Sequence, residues 1–364
     1  MLKAFDKFRK LIAHLQPAVG LSRSGTTPFT PLDLNGLTVR CDTTFPADIQ
    51  PWLTLCDRVP ASTLFQTPTW QIAAWTAGNT KGRLRLISVW QADRLIAVLP
   101  LALTDAGSLH TPTVPLSDYL DPLVEPSLEA ECWRTILTYV ESLWDPALKE
   151  FTLYNLRESA TIHRVLPLIA QSLGWRVDET VCDSAPMIDL PNTWDGFLDL
   201  LDAHERKEIR RKVTKAESQG EARLIRCSES EFPSMLDLAL SLMASRPDEK
   251  GHSITLYIRP LFEKVGVALF QQHRLELFTL LIHGHPACCL LQSPTPRGPM
   301  LYNLGYDAKF KEWSPGVVAI AMSIRDAISK SQSTFDLLRG QEPYKHKLGA
   351  KDRPLRRISL SCLT

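Results

Sequence analysis

Residues 302–328, YNLGYDAKFKEWSPGVVAIAMSIRDAI, decide how the second half of the chain is read. YNLGYD is strand-like, and Gly305 in it permits a bulge or a close backbone approach. A polar segment follows, and a helix opens at Ser314-Pro315-Gly316. Serine suits a helix cap, proline the first helical position, and Gly316 leaves the first turn uncovered. Most later positions of the helix are apolar, so it is expected between layers. Its free backbone N–H groups and dipole offer a place for an anion such as a pyrophosphate, with Lys309 and Lys311 just ahead of it. Ser-Pro-Gly also opens ordinary helices, so the local chemistry leaves both readings open.

Just downstream, FDLLRGQEPYKHKLGAKDRPLRRISL (335–360) reads as a strand, a charged loop and another strand. Phe335, Leu337 and Leu338 are core candidates, with Asp336 facing the other way. Arg339 and Gly340 stand at the strand end. Glu342, Tyr344, Lys345, His346 and Lys347 follow around a proline turn. Loops at strand ends often carry reactive groups. An acid, a phenol and a cation together can relay a proton and hold developing negative charge. The same residues also fit a salt-bridge cluster that holds the last hairpin.

Working toward the N-terminus, strands and helices alternate twice. Residues 67–78 form a helix with Trp70 and Trp75, which read as core anchors or as stacking groups. Residues 83–105 form a hairpin, 129–144 a helix, 151–157 a strand, 161–175 a helix closed by Gly174, and 185–191 a short strand. The second round opens with a helical segment at 194–220, basic in its second half through Arg206, Lys207, Arg210, Arg211 and Lys215. A face of this kind can bind nucleic acid or a phosphorylated substrate, or stay solvated. Helices at 231–246 and 257–273 precede a hairpin turning at His283-Gly284-His285. In the first round, Ser117, Asp118, Tyr119 and Asp121 gather in one loop, to line a pocket or to cap turns.

Composition narrows the class. The 364 residues are 44% hydrophobic, enough for two cores, and 41 basic against 40 acidic residues give a net charge of +1 with no global pull toward nucleic acid. No two of the eight cysteines have CxxC spacing, so no metal site is expected, and the thiols read as buried in a reducing compartment. Residues 1–15 have near-helical apolar spacing, which fits a packing helix or one resting on a membrane surface. No stretch is long enough to span a bilayer, and the chain reads as cytoplasmic. Residues 17–50 read as a linker or edging segment with one short strand-like piece, GLTVRC.

Several motifs, in order, resemble acetyltransferases of the CelD/BcsL type. These are relatives of the Fem peptidoglycan aminoacyltransferases, built on two tandem GNAT folds. The resemblance rests on Leu190-Pro191 with Arg206, Arg210, Arg211 and Gly220, on LMASRPDEK (242–250), and on Tyr302, Gly305, Tyr306, Asp307 with Ser314-Pro315-Gly316. It also rests on Phe335, Asp336, Arg339, Gly340, Glu342, Tyr344 and Lys345, and in the first half on FQTPTWQIAAW and PLSDYLDPLV. It implies an α/β protein with two GNAT-like domains, each a mixed sheet flanked by helices: an N-terminal segment 1–50, a first domain 51–190 and a catalytic second domain 191–364. It implies acyl transfer from acetyl-CoA or another acyl-CoA to an amine or hydroxyl of a sugar, an envelope precursor or an amino compound. Exopolysaccharide synthesis is a common setting for such relatives. The implied donor site is Ser314, Pro315 and Gly316 with Lys309 and Lys311, and the implied catalytic set is Asp336, Lys345, Tyr344, Arg339 and Glu342. The implied substrate pocket is Asp118, Tyr119, Tyr302, Tyr306 and Asp307. The usual Gln/Arg-x-x-Gly-x-Gly/Ala loop is absent. Aminoacyl-tRNA is the alternative donor, DNA is not expected, and a non-catalytic scaffold is the third reading.

Overall fold

Alternating apolar segments and turn residues set out a chain of strands and helices, seen in a computed structural model that describes residues 32–77, 82–114, 116–142, 149–245 and 254–362. The expected N-terminal helix, the first part of the linker and the last residues of the 242–250 motif lie outside these. The chain divides into two units, the first running to Asp183 and resuming at Pro354, the second spanning Ser184–Arg353. The division falls ahead of the 190/191 boundary read from the sequence, and it assigns Pro354 onward to the first unit.

The first unit contains β1 (Leu32–Leu34), β2 (Leu37–Asp42), α1 (Gln50–Arg58), α2 (Pro68–Ala77), β3 (Arg83–Gln91), β4 (Arg94–Leu103), β5 (Ser108–His110), β6 (Leu123–Val124), α3 (Glu129–Ser142), β7 (Glu150–Arg157), α4 (Ile162–Ser172) and most of β8 (Trp175–Asp189). Its strands pair in the order β1-β2-β3-β4-β5-β7, with β6 also on β4. All these pairs are antiparallel except β5 with β7, which run parallel through three register pairs. The helices cover the sheet because their apolar stripes need burial. Trp133 of α3 and Leu166 of α4 join Phe151 and Leu153 of β7 in one core.

The second unit adds α5 (Trp194–Asp199), α6 (Ala203–Gln219), β9 (Arg223–Arg226), α7 (Phe232–Ala244), α8 (Arg259–Gln271), β10 (Glu276–Ile282), β11 (His285–Thr295), β12 (Gly298–Tyr306), α9 (Pro315–Ser329), β13 (Thr334–Asp336), α10 (Pro343–Lys347) and the start of β14 (Lys351–Cys362). Its strands follow the order β8-β13-β12-β11-β10-β9. His283 and Gly284 both have positive φ, 50° and 76°, which matches the strand twist and closes the β10–β11 hairpin in two residues. Alternate residues Phe278, Leu280 and Ile282 of β10 face a core shared with Ile209 and Val213 of α6 and Val318 and Ile320 of α9. The remainder of β14, from Pro354 on, pairs antiparallel with β7 and brings Ile358 and Leu360 into the first unit's core.

The segment read as one helix over 194–220 is two. Asp202 breaks it by capping α6, its Oδ1 accepting the Glu205 N–H at 2.9 Å. The segment read as a loop after Gly340 contains a single helical turn, α10. Trp70 and Trp75 are core anchors: both are buried, and the Trp70 indole donates to Ser117 Oγ at 2.9 Å.

Candidate active site

The centre of the second unit is a place where two strands part. β12 and β13 run parallel and share one register pair, Met300 with Asp336. β12 continues through Leu301–Tyr306, held on its other edge by β11, while β13 stops at Asp336. Two local devices produce this. A register shift opposite Leu291/Gln292 leaves Tyr302 as the extra residue of a bulge in β12. Beyond Asp336, Leu338 adopts φ 56°, and the Asp336 carboxylate accepts the Leu338 N–H at 2.8 Å, turning the chain out of the sheet. Gly305 permits the close approach expected of it: a Cβ there would stand 2.5 Å from the Met243 backbone nitrogen of α7.

Past Tyr306 the chain makes a short 3₁₀ turn, Ala308–Trp313, capped by Asp307, whose Oδ1 accepts the Lys309 N–H at 2.9 Å. Then α9 begins. Pro315 takes its first position, as the sequence implied. Ser314 does not cap the helix with its side chain; it sits in the left-handed region at φ 51°, ψ 52°, which directs its hydroxyl elsewhere. No acid lies in the first turn. The N–H groups of that turn have no partner within the helix. A Cβ on Gly316 would meet Leu304 Cδ1 at 3.4 Å, an ordinary contact, so the fold itself accommodates a Cβ there. Lys309 and Lys311 are exposed beside it. From α6, the Lys215 ammonium reaches the Glu312 carbonyl at 3.4 Å and lies 4.5 Å from the Trp313 ring centroid.

The turn after β13 holds the second group. Lys345 is 3% exposed, and its ammonium donates to the carbonyls of Leu338 at 3.0 Å and Arg339 at 2.6 Å while pairing with Glu342 Oε2 at 3.2 Å. Two of the ammonium's donors are taken by main-chain carbonyls, with the carboxylate beside them as counter-charge. The buried charge is thus paired and hydrogen-bonded, as burial of a charge requires. Gly340 at φ 112° lets the chain pass beside Glu342: a Cβ there would clash with that carboxylate. Tyr344 packs partly buried against the core under α9.

The structure therefore gathers Asp336, Arg339, Glu342, Tyr344 and Lys345 into one turn, and Ser314, Pro315, Gly316, Lys309 and Lys311 around the start of α9. Of the expected pocket residues, Tyr302, Tyr306 and Asp307 follow one another along β12 and its end, and Tyr306 is 42% exposed. Asp118 and Tyr119 belong to the first unit, where Tyr119 is buried against Phe65 with the Arg157 guanidinium over its ring. In the basic helix, Arg206 closes the end of α5 by donating to the Leu198 carbonyl at 2.9 Å, and Arg211 pairs with Glu208 at 2.8 Å. No cluster of metal-ligating side chains occurs among the described residues.

Sequence reasoning missed the strand separation, because it depends on which strands pair. It also missed a cavity of about 270 Å³ in the first unit, whose wall combines residues far apart in sequence. Only Asp121, in the loop already singled out, pointed there.

A family model described as an acetyltransferase (GNAT) domain matches residues 203–346, which contain both groups of site residues. The fold is similar to that of FemX, with a TM-score of 0.58 and 11% identity, covering 85% of this chain and 95% of that one. It is also similar to the C-terminal domain of a putative lysylphosphatidylglycerol synthetase from Agrobacterium fabrum, with a TM-score of 0.54 and 10% identity over 85% of this chain and 91% of that one. A conserved protein of unknown function from Bacteroides thetaiotaomicron gives a TM-score of 0.55 and 10% identity over 88% of this chain and 99% of that one. Comparison with curated proteins gives no match. These structural likenesses carry the mixed α/β fold, and the family model gives residues 203–346 their GNAT-like character. With residues 203–346 matching an acetyltransferase (GNAT) domain, the chain is a transferase enzyme, and the match lies within its second unit.

Proposed function

We propose that the enzyme transfers an acetyl or other acyl group from a CoA thioester to an amine or hydroxyl of a sugar, an envelope precursor or a small amino compound, in the manner of CelD/BcsL-type acetyltransferases. The observation that carries this is the single pairing of β12 with β13 in front of an acid-free helix start. Beyond Met300 β12 has no further register pair with β13 among the described residues, and its edge there would run beside an extended, amide-bearing chain, which is how a peptide-like ligand adds to a sheet. The first turn of α9, with Lys309, Lys311 and Lys215 beside it, would take the phosphates. Each end of the donor thus has a complementary surface on one unit.

In the reaction the acceptor's nitrogen or oxygen attacks the thioester carbonyl, its proton passes to a base, the oxyanion collapses, and the thiolate leaves and is protonated. Asp336 or Glu342 would take the acceptor's proton, Tyr344 would protonate the sulfur, and Arg339 would face the developing charge. Lys345, enclosed by two carbonyls and a carboxylate, acts by holding this turn in place.

Calorimetry with CoA is the test. The wild-type protein should bind CoA, and Gly316→Val, verified as folded by circular dichroism, should bind it at least tenfold more weakly. Equal binding by both would remove the phosphate site from α9. Absence of CoA binding would remove the acyl-CoA reading. A hollow of about 600 Å³ along α6, lined by Lys207, Arg210, Arg211 and Lys215, favours charged tRNA as the second reading. Incubating the enzyme with acetyl-CoA or aminoacyl-tRNA and an acceptor panel, followed by mass analysis, separates the two donors. Consumption of neither would support the scaffold reading.

A further inference from the structure

Helix α6 carries a row of cations of which the proposed transfer uses only one end. Lys207, Arg211 and Lys215 are spaced four residues apart, so they stand on successive turns of one side of the helix, about 6 Å from each other along its axis. With Arg206 and Arg210 they line the hollow of about 600 Å³, whose wall holds five cations and no carboxylate. The acids nearby do not cancel this charge. Glu208 serves both Arg211 at 2.8 Å and Lys212 at 3.9 Å, one carboxylate between two cations. Asp195 lies 3.7 Å from Arg210 and Asp199 3.4 Å from Arg206, and both acids are largely exposed. Lys207 is exposed and enters no ion pair among the described residues.

One end of the row is tied to the start of α9. The Lys215 ammonium reaches the Glu312 carbonyl at 3.4 Å and lies over the Trp313 ring, just ahead of Ser314. Ile209 and Val213, on the buried side of α6, share a core with Val318 and Ile320 of α9, which holds the two helices together. The cations therefore lead away from the helix start in fixed steps.

We propose that this row selects the donor by its third phosphate: with the pyrophosphate at the first turn of α9 beside Lys215, the 3′-phosphate of the CoA ribose lies against Arg211 and Lys207. This site rests on the acyl-CoA reading of the second unit. One sugar separates the 3′-phosphate from the pyrophosphate, a step on the order of one helical turn. A phosphate monoester carries close to two negative charges at neutral pH and three acceptor oxygens, and an arginine fork meets two of them at once. Lys215 thus serves the part that every CoA analogue keeps, and Arg211 and Lys207 the part that dephospho-CoA lacks.

Calorimetry of the full-length protein with CoA and with 3′-dephospho-CoA is the test. The wild type should bind CoA about tenfold more tightly than the dephospho form, the size expected for one charge-assisted contact. Arg211→Gln should lose that tenfold for CoA and bind dephospho-CoA as the wild type does. Lys207→Gln, which breaks no ion pair, should lose about threefold for CoA alone, while Lys215→Gln should weaken both forms. The preference for CoA should shrink as salt is raised, because these cations are exposed. Equal binding of the two forms by the wild type overturns the 3′-phosphate site and leaves the acyl-CoA reading in place. An Arg211→Gln protein that weakens both forms alike does the same. If neither form binds, the acyl-CoA reading and this site fall together, and weakened tRNA binding by Arg211→Gln would then give the row to a polynucleotide.

Discussion

A parallel strand pair occurs in each unit among the described residues, and the two differ where it matters for an anionic ligand. In the first unit β5 and β7 share three register pairs, from Ser108 with Glu150 to His110 with Thr152, and the sheet stays closed. In the second, β12 and β13 share one. The helices that precede the later strands differ in the same sense. α3 begins with Glu129 and Glu131 in its first turn, so its own side chains offset its dipole. α9 begins with Pro315, Gly316 and Val317, and no acid. One crossover is closed and self-neutralised; the other is open and bare. The difference is the reason a negatively charged donor is proposed for the second unit.

The largest expected effect comes from the turn that ends the shorter strand. Lys345→Met leaves Glu342 and two buried carbonyls without their cation, and should cost about 3–5 kcal/mol by urea unfolding and abolish transfer. Retention of activity would mean that the parting of the strands does not depend on this turn.

Alkaline pH checks that the two crossovers differ while the cores are alike. Burial pushes the Cys41 and Cys132 thiols of the first unit up to about 12, and Cys227 and Cys289 of the second to about 11. Their folded values exceed the ordinary 9.0, so this contribution is complete below pH 9 and is lost as pH rises through the folded values. Each fully buried thiol should cost about 1 kcal/mol of stability by pH 10, with both units weakening together in urea melts followed by hydrogen exchange. Cys132→Val should flatten the slope. Among the described cysteines, exposed Cys182 should react first with a maleimide.

Val317→Glu gives α9 the kind of first turn that α3 has. CoA affinity should fall about tenfold with little change in melting temperature. Unchanged affinity would separate the donor from the helix start. The smallest effect is the converse: Glu131→Gln, at an exposed position, should cost α3 about 0.5 kcal/mol in urea unfolding and confer no CoA binding on the first unit.

Much of this comparison could be read in the sequence, and the unread parts share a cause. Helix starts are local chemistry, so Pro315, the His283-Gly284 turn and the stop at Gly174 were visible in a few residues each. The motif residues from Asp336 to Lys345 were also visible, but the use of the Lys345 ammonium was not, since its acceptors are main-chain carbonyls that any residue could supply. The long strand β8 was read only at its end, 185–191, because Arg176, Asp178, Glu179 and Asp183 interrupt its apolar pattern. Arg356 and Arg357 of β14 pair with Glu179 at 3.5 Å and Asp178 at 3.4 Å, an exchange that only the folded chain displays. The cavity at Ser62, Trp133 and Arg157 lay beyond local pattern for the same reason.

The return of β14 to the first unit has a consequence for the order of assembly on the ribosome. The second unit is contiguous, Ser184–Arg353, and every residue it needs has been synthesised before Pro354 is added. The first unit is begun earlier but lacks β14 until the residues after Arg353 emerge, since Ile358 pairs with Leu153 and Leu360 with Phe151. Until then the edge of β7 is open, a template for wrong partners. The half made first is completed last, and a nascent chain stalled just short of Pro354 should hold a protease-resistant second unit behind a still-cleavable first one.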